Sequence, residues 1–294
     1  MSRRPGCRLN DRPFCADLSR DNDEPLAATA SRIDHWFLIE YRGLWTHDAL
    51  PGSGLSDQVK AHLRRQVSSV KNGRLLFIRR PDRRKRPELV VFAASSIPGE
   101  EQLTRIEVGD YEQLRGIELR EGEPAGHPLF LVCTHGKHDP CCARYGRPLY
   151  EGLRDELDPE WVWQVTHVGG DRFAGNLVCL PEGLYYGRVD RETAGSVLDE
   201  HLAGSIHLDH YRGRSRYPFP VQAAERYVRE QTGLTGIGDL ALESVSRRDG
   251  FWEVSFDAAG RRHSVLVERE TGELTLLTCN SGPKRPRRFV ATPA

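Results

Sequence analysis

Apolar residues along the chain come in short blocks separated by polar stretches that carry Gly and Pro. This pattern predicts brief buried strands alternating with amphipathic helices. WFLIEY (36–41) predicts a buried strand. After a Gly- and Pro-containing loop, Ser56 can cap a helix whose apolar positions Val59, Leu63, Val67 and Val70 recur at three and four residues. Strands are expected at 74–80 and 88–94, with a fourth at 103–108. The rhythm then repeats. Residues 128–133 predict a strand, Pro148 opens a helix with Leu149, Leu153 and Leu157 on one stripe, and 161–166 predict the next strand. A strand pair is expected around the turn Pro181-Glu182-Gly183, followed by a helix that Asp190 can cap and that carries Ala194, Val197, Leu198 and Leu202.

The order β-α-β-β-β-α, with cysteine in the first strand-to-helix loop, is the layout of a thioredoxin-like domain, α/β (α+β) in class. WFLIEYRGLW and LFLVCTHGKH each run a strand into a loop and a helix, about 90 residues apart, so the first half reads as a degenerate duplicate without the cysteines. The expected divisions are an irregular N-terminal arm (1–32), an N-terminal α/β half (33–120), a thioredoxin-like domain (121–204) and a small C-terminal α+β appendage (205–294). GRSRYPFPVQAAERYVREQTG gives the appendage a Pro-started helix, and FWEVSFDAAGRRHSVLVERETGELTLL gives it alternating strands.

Lysine plus arginine equals aspartate plus glutamate at 42 each, which removes the overall basic charge that most nucleic-acid binders use to collect phosphates. The basic runs RRPDRRKR (79–86) and PKRPRR (283–288) contain prolines and read as solvated loops. No run approaches the roughly 20 apolar residues of a membrane span. The paired arginines near the N-terminus have no apolar stretch behind them, so no export signal is expected. Seven cysteines, an odd number, suit a reducing compartment where thiols stay free or bind metal. A cytoplasmic protein without nucleic-acid or membrane partners is expected.

The chemistry gathers in CTHGKHDPCC and HVGGDRF. Cys133 and Cys142 have eight residues between them, and His167 and Asp171 are spaced by four. Two soft thiolates plus an imidazole at loop positions form a set that metal chemistry, rather than core packing, tends to require. Cys133 ends one predicted strand and His167 follows another, so the two loops share a sheet edge if these strands are parallel neighbours. Gly169 and Gly170 suit a loop with positive φ angles and a close backbone approach to a bound cluster, where their N–H groups could reach bridging sulfur. Cys141 is a substitute ligand for Cys142. His135 and His138 read as replacement ligands, as donors to sulfide or as solvated loop residues. Cys179 reads as core, and Cys7, Cys15 and Cys279 receive no role. His207 and His210 could face each other only on a helix, which the pattern does not predict.

CTHGKHDPCCARYGRPL, HVGGDRFAGNLVCLPEGLYYGRV and GRSRYPFPVQAAE, with a weaker match in FCADLSRDNDEPLAATAS, resemble the sucraseferredoxin-like family, which has thioredoxin-like ferredoxin domains. The resemblance implies a 2Fe-2S cluster held by two cysteines of the first loop and two histidines of the second, which maps onto Cys133, Cys142, His167 and Asp171. This chain departs from the pattern at Asp171. A carboxylate is harder and more negative than imidazole, so an Asp-ligated cluster should bind less tightly and have a lower potential. Alternatively, Asp171 pairs with Arg172 or turns the loop.

Three functions remain open on these residues. The first, preferred over an enzyme, is an electron carrier serving an unidentified redox partner protein. The second is a zinc-binding or metal-free interaction module, in which Cys133, Cys142 and His167 bind zinc with Asp171 or water as fourth ligand. The third is a thiol-disulfide protein using Cys133 with Cys141 or Cys142, which the absence of a C-x-x-C at a helix start weakens. No nucleotide-binding loop marks a self-contained reductase, and no paired carboxylates mark glycoside hydrolysis.

Overall fold

The computed structural model describes residues 13–80 and 87–294. A short helix, α1 (Cys15–Asp21), leads to β1 (His35–Glu40), which connects through α2 (Asp57–Ser68) to the parallel strand β2 (Gly73–Arg79). Ser56 caps α2 as expected, its side chain accepting from the Val59 N–H, and Val59 and Leu63 are buried. β3 (Leu89–Ser95) returns antiparallel to β1, β4 (Gln102–Val108) pairs with β3, and the two-residue β5 (Glu123–Pro124) closes that edge.

The second half repeats the scheme. β6 (Leu129–Cys133) connects through α3 (Pro140–Glu156) to β7 (Val162–Val165), parallel to β6. β8 (Leu177–Leu180) is antiparallel to β6, and β9 (Leu184–Tyr186) is antiparallel to β8. Then come α4 (Ala194–Leu202) and β10 (Tyr211–Arg214). The ten strands form one sheet in the order β10-β9-β8-β6-β7-β2-β1-β3-β4-β5.

In each half the first strand lies between its parallel second and its antiparallel third, with the fourth outside, which is the thioredoxin-like strand order. The halves join where β2 and β7, their equivalent strands, pair antiparallel with Ile78 opposite Val165. An antiparallel contact between equivalent strands is what a local two-fold axis normal to the sheet produces. The duplicate expected from sequence is therefore present as fold, and the class is mixed α/β.

Because side chains alternate across a strand, the sheet buries apolar residues on both faces. Phe130, Val132, Leu177 and Tyr186 pack with Leu149 and Leu153 of α3 and Val197 and Leu198 of α4. Phe37, Ile39 and Phe77 pack with Val59 and Leu63 of α2. On the opposite face Trp36, Leu38, Leu131, Cys133, Trp163 and Val165 form a core closed by Ala30 and Ile33 of the N-terminal arm.

α5 (Phe219–Thr232) follows, and then an antiparallel meander of β11 (Leu240–Arg248), β12 (Phe251–Ala258), β13 (Arg261–Thr271) and β14 (Arg287–Pro293). Val221, Ala224 and Val228 of α5 bury Val254, Phe256, Val265 and Val267 of the meander. Among the described residues no helix is long and apolar enough to cross a membrane.

Several expectations change. The arm expected to be irregular carries α1, whose Cys15 and Ala16 are fully buried. α3 begins at Pro140, capped by the Asp139 side chain, so Pro148 lies inside the helix and Cys141 and Cys142 sit in its first turn rather than in a loop. β10 belongs to the large sheet although residues from 205 were expected in the appendage. Arg287 and Arg288 lie in β14, not a loop. Arg79 sits over the Trp45 ring at 3.9 Å, and Arg80 is buried beside Glu40 at 3.7 Å and also pairs with Glu160. The rest of that basic run, 81–86, lies outside the described residues, as does Cys7. A short 3-10 turn at Leu208–His210 brings the His207 and His210 rings to 5.1 Å.

Candidate metal centre

Cys133 ends β6, and two residues beyond β7 stands His167, so the parallel pairing of these strands delivers both side chains to one sheet edge. Helix α3 adds Cys142. The approach of that helix depends on Gly146, one turn after Cys142, because a Cβ there would lie 2.0 Å from the Cys133 carbonyl oxygen. Only glycine lets α3 come close enough to bring Cys142 against Cys133. The first turn of α3 also presents its positive dipole end to these sulfurs, which favours thiolates.

The loop 167–171 closes the site. Gly169 and Gly170 have φ of 101° and 83°, and a Cβ on either would meet Ser31 Oγ at 2.4 Å or Arg212 Nη2 at 2.3 Å. Both positions therefore need glycine for conformation and for space. Gly170 O accepts from Asn176 Nδ2 at 2.9 Å, Gly169 O accepts from Arg212 Nη1 at 3.0 Å, and Val168 O accepts from Ser31 Oγ at 2.9 Å. Thus tied, the loop starts a 3-10 turn at Asp171 and aims its carboxylate inward.

The four side chains meet. Cys142 Sγ lies 3.2 Å from Asp171 Oδ1 and 3.9 Å from His167 Nδ1, and His167 Nδ1 lies 2.9 Å from Asp171 Oδ1. The donor atoms of Cys133, Cys142 and His167 all lie within 4.8 Å of one another. Both cysteines and Asp171 are buried, and the His167 side chain keeps 18% exposure, which makes it the open side of the site. Arg172 does not pair with Asp171: its Nε donates to both Glu24 oxygens, at 2.9 and 3.0 Å.

Proton affinities follow from this packing. The hydrogen bond with Cys142 holds the Cys133 thiol well below the usual range despite burial, while that bond and burial push Cys142 up. Burial alone would lower His167, but the bond to Asp171 and the Cys133 thiolate raise it to about 9. Burial opposes ionisation of Asp171, and His167 nevertheless keeps its carboxyl below the usual range. The lowered proton affinity of Cys133 beside the raised one of His167 favours a thiolate-imidazolium pair in the metal-free site. Binding a metal would displace the protons of Cys142 and His167.

Of the neighbouring histidines, one is buried and the other keeps partial exposure at the cleft. His135 is buried, its Nε2 2.8 Å from Thr46 O and its Nδ1 accepting from the His167 N–H at 3.2 Å. His138 stacks on His167 with centroids 3.8 Å apart and also lies within ligand reach of His167 and Asp171. Cys141 does not substitute for Cys142. It points to another face of α3, where Cys15 and Cys279 join it, so those two are not the isolated thiols expected from sequence. Cys179 is core. The supports of the site, Arg212, Asn176 and Arg74, the last donating from Nη2 to the His167 carbonyl at 3.0 Å, carried no sequence signal, because each acts on a backbone carbonyl or on another support rather than on the ligand side chains.

A profile of sucrase/ferredoxin-like proteins matches residues 26–213. The chain belongs to the sucrase/ferredoxin-like family. Similar proteins include "Altered inheritance of mitochondria protein 32" of Meyerozyma guilliermondii, 35% identical over 111 residues, which make up 34% of this chain and 39% of that protein. The protein of the same name from Debaryomyces hansenii is 31% identical over 107 residues, 33% of this chain and 39% of the relative. The matched part is thus about two fifths of these relatives' own length. Their name ties them to mitochondria, which overturns the cytoplasmic location expected from cysteine content and the N-terminal residues. Among solved structures, the thioredoxin-like [2Fe-2S] ferredoxin from Aquifex aeolicus is similar at 19% identity with a TM-score of 0.28, covering 32% of this chain and 97% of the ferredoxin. In this member of the sucrase/ferredoxin-like family it is the strand order of the two halves that identifies the fold.

Proposed function

We propose that this protein is an electron carrier in which Cys133, Cys142, His167 and Asp171 hold a 2Fe-2S cluster, and that it exchanges single electrons with an unidentified redox partner protein. The observation that carries this reading is the convergence of two thiols, an imidazole nitrogen and a carboxylate oxygen at the sheet edge where β6 and β7 end, with α3 and the 167–171 loop supplying Cys142 and Asp171. The donor set fits: such clusters accept two sulfur and two imidazole ligands, and here a carboxylate stands for one imidazole. Family membership supports the same reading. A bound cluster would supply a one-electron reservoir.

The chain's residues would set its properties. The buried thiols exclude water from the inner side of the site. His167 faces a cleft of about 280 Å³ lined by His47, Leu50, Arg74 and His138, the side open to a partner. The Asp171 carboxylate adds negative charge and lowers the potential relative to a second imidazole. A single zinc ion is the second reading, favoured by the donor atoms of Cys133, Cys142 and His167 lying within 4.8 Å of one another, within reach of one ion.

Visible and EPR spectra with metal and acid-labile sulfide analysis decide between them. The cluster reading expects iron and sulfide in equal amounts, and a potential that rises on the order of 100 mV in Asp171→His. A colourless protein without iron or sulfide after anaerobic reconstitution refutes it, and zinc bound through Cys142 in that sample establishes the alternative.

A further inference from the structure

On a second face of α3, about 100° around the helix from Cys142, three further cysteines from distant parts of the chain converge. Cys15 of α1 lies 126 positions from Cys141, and Cys279, between β13 and β14, lies 138 positions from it. Cys15 Sγ is 3.6 Å from Cys141 Sγ, and Cys141 Sγ is 3.4 Å from Cys279 Sγ. An Asp139 oxygen completes the group, with one donor atom from each of the four residues within 4.8 Å of all the others. Cys15 Sγ lies 3.9 Å from Asp139 Oδ2.

We propose that Cys15, Cys141, Cys279 and Asp139 form a second metal site, for a thiophilic divalent cation of the Zn²⁺ class, separate from the site at Cys142. Three observations carry this. A tetrahedral ion with Zn–S bonds of about 2.3 Å places its sulfurs about 3.8 Å apart, which the observed separations approach. Three thiols also exceed what one disulfide can use.

The third observation is Asp139, which is fully buried and forms no ion pair with any Lys, Arg or His among the described residues. Its oxygens accept from Cys141 N at 2.8 Å, Cys279 N at 2.6 Å and Thr278 Oγ1 at 2.7 Å, and these bonds with the N-terminal end of α3 orient and partly stabilise the carboxylate without supplying a full positive charge. Buried charges are paired or coordinate metals. A cation at the thiol cluster would supply a full counter-charge. Its binding would release the thiol protons to solvent.

The site would be structural, since Cys15, Cys141 and Asp139 are buried and only Cys279 keeps partial exposure. Ala16, Ala174 and Leu276 pack around the thiols. One ion would staple α1 and the 275–280 segment to the first turn of α3, whose next residue is Cys142. The proposal is independent of what the first site holds.

The test counts Zn²⁺ bound to the full chain after incubation with Zn²⁺ and removal of excess. Cys133→Ser/Cys142→Ser should retain one tightly held equivalent, and Cys279→Ser in the otherwise wild-type chain should lose it while keeping the first site's complement. X-ray absorption at the zinc edge of the double variant should show three sulfurs at about 2.3 Å and one oxygen. The same measurement on the wild-type chain covers the case in which a variant fails to fold: a zinc shell with only two sulfurs and an imidazole would assign the ion to the first site. That shell, a double variant without zinc, zinc unchanged by Cys279→Ser, or a metal-free protein in which two of the three thiols form a disulfide would each overturn the proposal.

Discussion

Replacing Arg212 tests whether the loop bearing His167 and Asp171 is held from beneath by one buried guanidinium. Arg212 is 1% exposed, and burial draws its pKa down to about 10 from 12.5. That shift corresponds to a cost of about 3 kcal/mol at neutral pH. Against it stand four hydrogen bonds: Nη1 to Gly169 O at 3.0 Å and Asn176 Oδ1 at 2.7 Å, Nε to Thr29 Oγ1 at 3.0 Å, and Nη2 to Thr29 O at 2.6 Å. Charge-assisted bonds contribute about 1.5–3 kcal/mol each, so the bonds outweigh the burial cost.

Arg212→Met removes that cost but leaves four acceptors on Gly169, Asn176 and Thr29 without their donor at about 1–3 kcal/mol each, giving a net destabilisation of at least about 1 kcal/mol. Arg212→Lys keeps the charge and its burial cost, yet an ammonium cannot span acceptors on Gly169, Asn176 and Thr29 together, so it should fare no better. Urea denaturation of the metal-free protein gives the stability. Metal titration should show affinity about 10–100-fold weaker in both variants, the usual effect of losing a group that orients ligands. Wild-type behaviour of Arg212→Lys in both assays would mean that charge alone matters, and the geometric account of the loop would be wrong.

Other positions give sharper single outcomes. Glu225 is buried between Arg214 at 2.7 Å and Arg229 at 3.1 Å and accepts from Tyr211 OH at 2.8 Å, so Glu225→Gln, which leaves two guanidiniums without a counter-ion, should cost about 3–5 kcal/mol in urea unfolding. Gly146→Ala should destabilise by about 1–3 kcal/mol and also abolish metal binding, since the new methyl would push α3 away from Cys133; unchanged binding would show that the helix can shift without cost. His201, enclosed by Phe130 and Tyr186 with Glu182 Oε2 at 3.7 Å, has its pKa lowered to about 4 by burial. The unfolded chain then takes up a proton below pH 6.5 that the folded chain refuses until about pH 4, so stability falls as pH drops through that window by about 3 kcal/mol, full stability being retained above it. Burial raises Glu182, which offsets part of this loss, and His201→Gln should remove the His201 component from the pH profile of unfolding.

The convergence of the candidate ligands was legible because its signals are local. Cys133 and His167 each follow an apolar block that makes a strand, and a parallel pair of such strands must deliver both to one edge. The duplication was legible for the same reason, since β1 and β6 are continuous apolar runs leading to a helix. Helix α3 was misplaced because Pro148 resembles a first-turn proline and Gly146 lowers helix propensity just before it, whereas the structure uses Gly146 for close packing and starts the helix at Pro140. α1 was missed because seven residues ending in Asp-Leu-Ser-Arg-Asp carry too few apolar positions to show a period. The thiol cluster around Cys141 could not be read at all, since contacts across more than a hundred positions follow from tertiary packing of the N-terminal helix and the meander, for which spacing along the chain holds no information.

The half without cysteines acquires a role from this arrangement. β7 is only four residues long, and its second edge would be open without β2. β2 fills it and continues past it: Phe77 O accepts from the Thr166 N–H at 2.9 Å, the Phe77 N–H donates to Thr166 Oγ1 at 3.0 Å, and Arg74 donates to the His167 carbonyl at 3.0 Å. The loop after β1 reaches the other ligand segment, with Thr46 O on His135 Nε2 and the His47 ring stacked on His138. His135 in turn accepts from the His167 N–H, so bonds from the first half reach the backbone of His167 from two directions. The half without cysteines therefore helps fix the candidate ligands of the other, so the candidate site belongs to the pair of halves rather than to the cysteine-bearing one.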